Sequence, residues 1–186
     1  MFTRLATTLK WLVFLGILGV AALLFYIYSG WYQIGADVPH HKVTYWMLET
    51  LRDNSIKAAS STVEIPSDID SPERLLRGGP DYNEMCVSCH LSPNLSKTDF
   101  SIGLYPSPPN LTDSLVDYRS QAERRQAHFW VIKHGIKGSA MPSWAPGHDD
   151  ERIWDMVAFI ERLPELSVEQ YQIITQRASG SSNHHH

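Results

Sequence analysis

The spacing of apolar residues first separates one long apolar segment from the rest of the chain. Residues 11–36 carry no charge, and their densest apolar part is residues 11–29. As a helix, that part rises about 28 Å, close to the thickness of about 30 Å of a bilayer's hydrocarbon core. A cleaved signal peptide is the alternative, but its apolar core usually spans only about 7 to 15 residues. The pattern therefore favours an uncleaved transmembrane anchor over residues 1–33.

After the anchor, residues 34–71 predict an amphipathic helix followed by a linker. Within residues 43–60 the apolar positions fall near one helical stripe, which suits a helix at a membrane surface; they are Val43, Trp46, Met47, Leu51 and Ile56. Residues 61–71 are polar and contain Pro66. Such a composition is typical of a linker that lets the following domain move relative to its anchor.

The remaining chain predicts an all-α domain over residues 72–166 and a further helix over 167–179. Residue types that cap helices stand before several apolar-periodic segments, at Ser71, Ser120, Asp149 or Asp150, and Ser167. Pro164 is expected to end the helix that follows Asp149. The last residues, 180–186, finish in three histidines and are typical of a purification tag, so they are set apart from the fold.

Length and charge narrow the possible functions. A chain of 186 residues with 43% hydrophobic residues predicts one modest folded domain. Residues 65–178 contain 11 Lys and Arg against 16 Asp and Glu, and no basic run occurs, which excludes a nucleic-acid binder. Arg4 and Lys10 precede the anchor, so the positive-inside rule predicts a cytoplasmic N-terminus and a domain on the opposite side of the membrane.

The candidate chemistry lies in Cys86-Val87-Ser88-Cys89-His90, which contains the only two cysteines of the chain. This C-x-x-C-H spacing is the attachment signature of haem c. Each thiol can form a thioether to a haem vinyl group, and the adjacent imidazole can reach the iron. A structural zinc site would need further Cys or His ligands in a second pair, and a thioredoxin-type dithiol would need a βαβ setting. The motif therefore predicts one haem c, bound covalently through Cys86 and Cys89, with His90 as an iron ligand.

Further features stand in a fixed order around this motif. They are Gly78 and Tyr82 before it, Pro109-Asn110-Leu111 after it, a loop of small residues leading to Met141-Pro142, and a terminal helix with Phe159. From residue 72 to about 163, this set resembles the class I cytochromes c. The resemblance implies the class I cytochrome c fold, helices around one covalently bound haem c, here preceded by one transmembrane helix. It also implies that Gly78, Tyr82 and Phe159 form one helix crossing.

The resemblance implies a set of haem contacts as well. Met141 is expected to be the second axial ligand beside His90, although a core or surface methionine is the alternative. The carbonyl of Pro109, or of a proline just before it, is expected to accept the proton of the far ring nitrogen of His90. Tyr105 is expected near the haem because residues 91–108 should form an extra loop over its edge, and Leu111 is expected there as part of the Pro109-Asn110-Leu111 segment.

The function implied by the resemblance is that of a membrane-tethered carrier of single electrons, with no catalytic residue. The resemblance also implies a bacterial inner membrane with the haem domain on its periplasmic face. Its redox partners would be a quinol-oxidising complex, a terminal oxidase, or a periplasmic reductase or dehydrogenase. Two alternatives remain open at this point. One is a catalytic or gas-sensing haem protein with an open sixth site and His128 or His134 as the acid-base group; the other is a structural subunit of a larger respiratory complex.

Overall fold

A computed structural model of the chain describes residues 2–113 and 120–176. Its contacts divide the chain into two compact units, residues 1–38 and 39–186. Across the described residues the chain is helical and contains no named strand, which confirms the predicted all-α class. Residues 177–179 of the predicted last helix, and the tag-like residues 180–186, lie outside this range.

The first unit consists of α1, Phe2–Tyr28. Its part Arg4–Tyr28 is long and apolar enough to cross a membrane. The second unit contains the remaining helices and a short 3-10 turn, Leu163–Glu165. The helices are α2 (Lys42–Ser60), α3 (Pro72–Met85), α4 (Val87–His90), α5 (Asp99–Gly103), α6 (Gln121–His134), α7 (Asp150–Arg162) and α8 (Val168–Thr175).

Polar side chains at the predicted positions begin the main helices of the second unit. Ser71, Ser120, Asp149 and Ser167 each accept a hydrogen bond from a backbone N–H in the first turn of α3, α6, α7 and α8. These bonds satisfy donors that the helix itself leaves unpaired. The starts of these four helices are therefore determined locally, as the sequence predicts.

The core of the second unit is the crossing of α3 and α7. A Cβ at Gly78 would lie 2.0 Å from the carbonyl oxygen of Asp155, so only glycine lets the two backbones approach this closely. Next to it, the rings of Tyr82 and Phe159 are 5.2 Å apart, and both residues are fully buried. The predicted contact of Gly78, Tyr82 and Phe159 is confirmed.

Ion pairs reinforce this crossing, and the pair of Arg74 with Asp155 is buried. Arg74 donates to Asp155 at 3.0 Å and to Glu151 at 2.8 Å, and Arg77 donates to the same Asp155 at 2.6 Å. The side chains of Arg74 and Asp155 are only 4% and 7% exposed. Removing one member of a buried pair typically costs about 3 to 5 kcal/mol. The pairs therefore hold α3 and α7 in one register.

The stretch predicted as a mobile linker is packed on the domain. Ile69 is buried in the core, and Val63 and Ile65 pack against it. Gln126 of α6 donates to the carbonyl of Val63 at 2.8 Å, and Arg125 pairs with Asp70. The polar composition of residues 61–71 concealed these anchors, because three apolar side chains among polar ones form no recognisable period.

α8 covers the outer side of the crossing, where it packs on α3. Tyr171 is buried, with its ring 6.5 Å from that of Tyr82, and its hydroxyl donates to Asn83 at 2.8 Å. A Cβ at Gly79 would lie 2.8 Å from the Ile174 side chain. The C-terminal helix is therefore part of the domain's core packing.

Candidate functional site

The two cysteines lie on one helical turn at the junction of α3 and α4. Cys86 caps α3 by donating its N–H to Tyr82, and its carbonyl accepts from the N–H of His90 at 2.8 Å. Both thiols are free; Cys86 is buried and Cys89 is half-buried. Burial, assisted by the nearby carboxylate of Asp81, raises the pKa of the Cys86 thiol to about 12. The turn thus presents two unpaired thiols, and that of Cys86 is protonated at neutral pH.

The imidazole of His90 is oriented from the loop that follows α5. Its Nδ1 lies 2.9 Å from the carbonyl oxygen of Pro109, so Nδ1 carries the proton and Nε2 has the free lone pair. Burial lowers the pKa of His90, although the bond to Pro109 acts in the opposite direction. A neutral imidazole with one nitrogen occupied by a carbonyl is the usual form of a metal-binding histidine.

The backbone around His90 is fixed by two further groups. The N–H of Leu111 donates to the carbonyl of His90 at 3.1 Å. The hydroxyl of Tyr82 donates to the carbonyl of Leu91 at 2.7 Å and lies 3.2 Å from that of His90. Leu91 has φ 70°, a conformation that side chains other than glycine rarely adopt. We infer that these bonds hold the sharp turn after His90.

The family resemblance implies only a packing role for Tyr82, so this hydrogen-bonding role of its hydroxyl was not predicted. Burial raises the pKa of Tyr82 well above its usual range, so the hydroxyl stays protonated and can donate. The choice of tyrosine over phenylalanine at a fully buried position is the signal that could have indicated a polar partner.

The long loop after the motif is attached to α4 at one end. The hydroxyl of Thr98 donates to the carbonyl of Ser88, and Thr98 and Ser101 form a capping box that starts α5. Further along, Tyr105 is half-buried. Its hydroxyl accepts from the N–H of His40 at 3.1 Å, and its ring lies 5.3 Å from that of His40. A contact of Tyr105 with haem stays a prediction.

The loop that carries Met141 is bound to the end of α6. Helix C-termini leave carbonyls unpaired, and here the N–H groups of Trp144 and Ala145 donate to the carbonyls of Ile132 and Lys133 at 3.1 and 3.2 Å. Gly135 has φ +68°, and a Cβ there would lie 2.7 Å from the carbonyl oxygen of Met141. Glycine is therefore required at this position for both its conformation and its close contact.

Two of the residues that the sequence places around a haem, Leu111 and Met141, lie in apolar surroundings. Both are partly buried and pack against the same core cluster as Trp144. Two thiols, an imidazole with Nε2 free and a thioether side chain, next to apolar side chains, are the groups that bind haem c. The donor set therefore fits this cofactor, while the pairing of His90 with Met141 as axial ligands stays a prediction.

The histidines considered as acid-base groups lie in other settings. Nδ1 of His128 is 3.4 Å from the carboxylate of Glu161, which also binds Arg124 at 2.8 Å. Burial alone would raise the pKa of Glu161, but the bonds from His128 and Arg124 outweigh it and lower the pKa to about 2. His134 is exposed, with its ring 5.0 Å from that of Trp130.

Comparison with known proteins identifies one segment. Residues 73–160 match the family model described as cytochrome C oxidase, cbb3-type, subunit III. No curated protein and no solved structure matches the chain. The matched segment includes both cysteines, His90, the Pro109 to Leu111 segment and Met141, and it ends within α7.

Proposed function

We propose that this chain is a membrane-anchored cytochrome c that carries single electrons through one haem c, with His90 and Met141 as its axial ligands; the family match of residues 73–160 and the apolar helix Arg4–Tyr28 support this. A cytochrome c domain implies electron transfer by haem, which supplies an iron that changes oxidation state by one electron. The ligand pair, the partners and the side of the membrane are part of the proposal.

The observation that carries the proposal is the orientation of His90. The bond of 2.9 Å between Nδ1 and the carbonyl of Pro109 leaves Nε2 as the ring nitrogen available to iron. That histidine directly follows Cys89 and lies on the same helical turn as both free thiols. A single short segment thus offers the covalent attachment and one axial ligand.

Cys86 and Cys89 would hold the haem through two thioethers and so fix its position. Addition of a thiol across a vinyl group would place the sulfur on one carbon and the thiol proton on the other, so attachment would need no oxidant. Met141 as the second ligand would raise the reduction potential, because Met/His ligation and an apolar environment favour the reduced iron.

We place the domain on the periplasmic side of a bacterial inner membrane, because Arg4 and Lys10 precede the span and predict a cytoplasmic N-terminus. The description of the matching family names an oxidase subunit, which favours a terminal oxidase as the electron acceptor. In this role the protein is a carrier, or a subunit of an oxidoreductase complex, and has no catalytic residue of its own.

Replacement of Met141 tests the ligand assignment. Met141→Ala should keep the haem covalently attached, remove the weak long-wavelength sulfur-to-iron absorption of the oxidised protein and lower the reduction potential. Met85→Ala is the matched control. Met85 is also partly buried against the core, but it lies beside Cys86, too close to the motif to reach the iron from the side opposite His90. The control should leave both the absorption and the potential unchanged.

Two further results decide between carrier and alternatives. The reduced wild type should bind no carbon monoxide at rest, whereas Met141→Ala should bind it. Rapid binding to the wild type would contradict the proposal and favour an open sixth site. The double variant Cys86→Ala, Cys89→Ala should lose the haem stain after denaturing electrophoresis; if the stain survives, covalent attachment through these residues is wrong.

A further inference from the structure

α2 presents an apolar face to the outside of its unit. Val43, Trp46, Met47 and Leu51 are 67%, 64%, 58% and 68% exposed. Because an α-helix turns once in about 3.6 residues, these four positions form one continuous stripe. Exposed apolar side chains that stand singly need no explanation, but a contiguous patch usually marks an interaction surface. We call these four residues the outer stripe.

The opposite side of α2 is already occupied. α2 packs on α6, and its half-buried positions include Arg52 and Ile56. Ile56, predicted to share the stripe, therefore lies away from it. A surface helix of a globular domain normally packs its apolar face inward and leaves its polar face in water. In α2 the apolar stripe faces outward instead, so the outer stripe is suited to contact another apolar surface.

The chain itself indicates which surface that is. The membrane-spanning segment ends at Tyr28, and α2 begins at Lys42. The residues between them, 29–41, can reach at most about 45 Å when fully extended. Residues 29–41 thus tether α2 to the bilayer that α1 would span. The tether raises the effective concentration of the lipid surface around α2.

Residue types on α2 also suit lipid. Tryptophan favours the interface between headgroups and acyl chains, and Trp46 lies within the outer stripe. By helical spacing, Asp53 and Lys57 both lie at the Trp46 edge of the stripe, so their opposite charges leave that edge close to neutral. Insertion of the stripe therefore depends on its apolar side chains.

We propose that α2 lies in the headgroup region of the membrane bilayer, with the outer stripe inserted and the domain carried on its other side by α6. The bilayer is then the occupant of this face, and the domain has a fixed orientation to the membrane. This inference goes beyond electron transfer and depends only on the anchored chain.

A photoreactive lipid can test it. The full-length holoprotein is reconstituted into nanodiscs of phosphatidylethanolamine and phosphatidylglycerol that contain a lipid with a diazirine near the start of its acyl chain. After illumination, trypsin cleaves at Lys42 and Arg52 and releases residues 43–52, which contain the whole outer stripe. Residues 98–119 form an internal control peptide, because Phe100 and Ile102 are 60% and 67% exposed outside α2.

We expect residues 43–52 to be labelled at least about tenfold more than residues 98–119, as for a helix whose apolar face is in the acyl boundary. The double variant Trp46→Gln, Met47→Gln should reduce this labelling by at least about fivefold. Its matched control, Phe100→Gln, Ile102→Gln, should leave it unchanged. Trp46 and Met47 are exposed and lie outside the segments expected around the haem, so the α2 double variant should leave the visible spectrum of the holoprotein unchanged.

Two outcomes would overturn the proposal. The outer stripe would not be in lipid if the two peptides were labelled equally in nanodiscs. The same would follow if the α2 double variant did not reduce the labelling of residues 43–52. In native membranes, a benzophenone placed at Leu51 that attaches to a protein instead of lipid would show that a partner subunit covers this face.

Discussion

Substitution of Gly78 by alanine measures how closely α3 and α7 approach. A Cβ at this position would lie 2.0 Å from the carbonyl oxygen and 2.5 Å from the carbonyl carbon of Asp155. An ordinary contact needs at least 3.4 Å, so the helices would have to separate by more than 1 Å. Neither atom belongs to a side chain that could rotate away. The separation would also disturb the ring contact of Tyr82 with Phe159 and the pairing of Arg74 with Asp155.

Overpacking of a core typically costs about 1 to 3 kcal/mol, and a clash between two backbones belongs at the upper end. We therefore expect Gly78→Ala to lower the free energy of unfolding by about 3 kcal/mol or more, a large part of the about 5 to 15 kcal/mol typical of a domain. Guanidinium titration of the detergent-solubilised holoprotein, followed by far-UV circular dichroism and Soret absorption, measures this change.

Gly103→Ala is the matched control, because a Cβ at Gly103 would meet nothing within 4 Å. It should change the free energy of unfolding by no more than about 0.5 to 1 kcal/mol, in the stabilising direction expected for alanine in a helix. If Gly78→Ala behaves like this control, the close crossing of α3 and α7 is wrong.

Two other substitutions examine the hydroxyl of Tyr82 and the carboxylate of Glu161. Tyr82→Phe should cost about 1 to 3 kcal/mol of unfolding free energy, because the carbonyl of Leu91 loses its buried donor. Glu161 has its pKa lowered to about 2 in the folded protein, so its stabilising contribution is complete above its ordinary pKa of 4.5 and is lost as pH falls towards 2. The wild type should thus lose roughly 3 kcal/mol in this window, a loss that should be missing in Glu161→Gln when both are titrated at several pH values.

Each of these substitutions has its own comparison. Tyr171→Phe, which removes one hydroxyl bond to the exposed Asn83, is the control for Tyr82→Phe and should cost less. Equal losses in the two variants would argue against a special role of Tyr82 at the turn. For Glu161, an identical slope of stability against pH in wild type and variant would show that this carboxylate is not the group responsible.

The sequence determined the features that depend on neighbouring residues. The C-x-x-C-H motif, the length of α1 and the caps at Ser71, Ser120, Asp149 and Ser167 act within a few positions of the chain, so their patterns are visible without the fold. The crossing at Gly78 was also predictable, but only because the whole ordered set resembles a known family.

Tertiary structure decided the contacts between residues distant in sequence. Arg74 and Asp155 are separated by 81 positions, and composition alone gives no reason to pair them. Which proline carbonyl faces His90 depended on the path of the loop after α5, and the structure places Pro109 there.

The orientation of the apolar face of α2 was likewise decided by tertiary structure. Helical spacing predicts a stripe but leaves open which side of α2 packs on α6. That depends on the shape of α6 and on the ion pairs and hydrogen bonds that hold residues 61–71. Local periodicity therefore identified the helix, whereas packing against a distant element determined that its apolar face points outward.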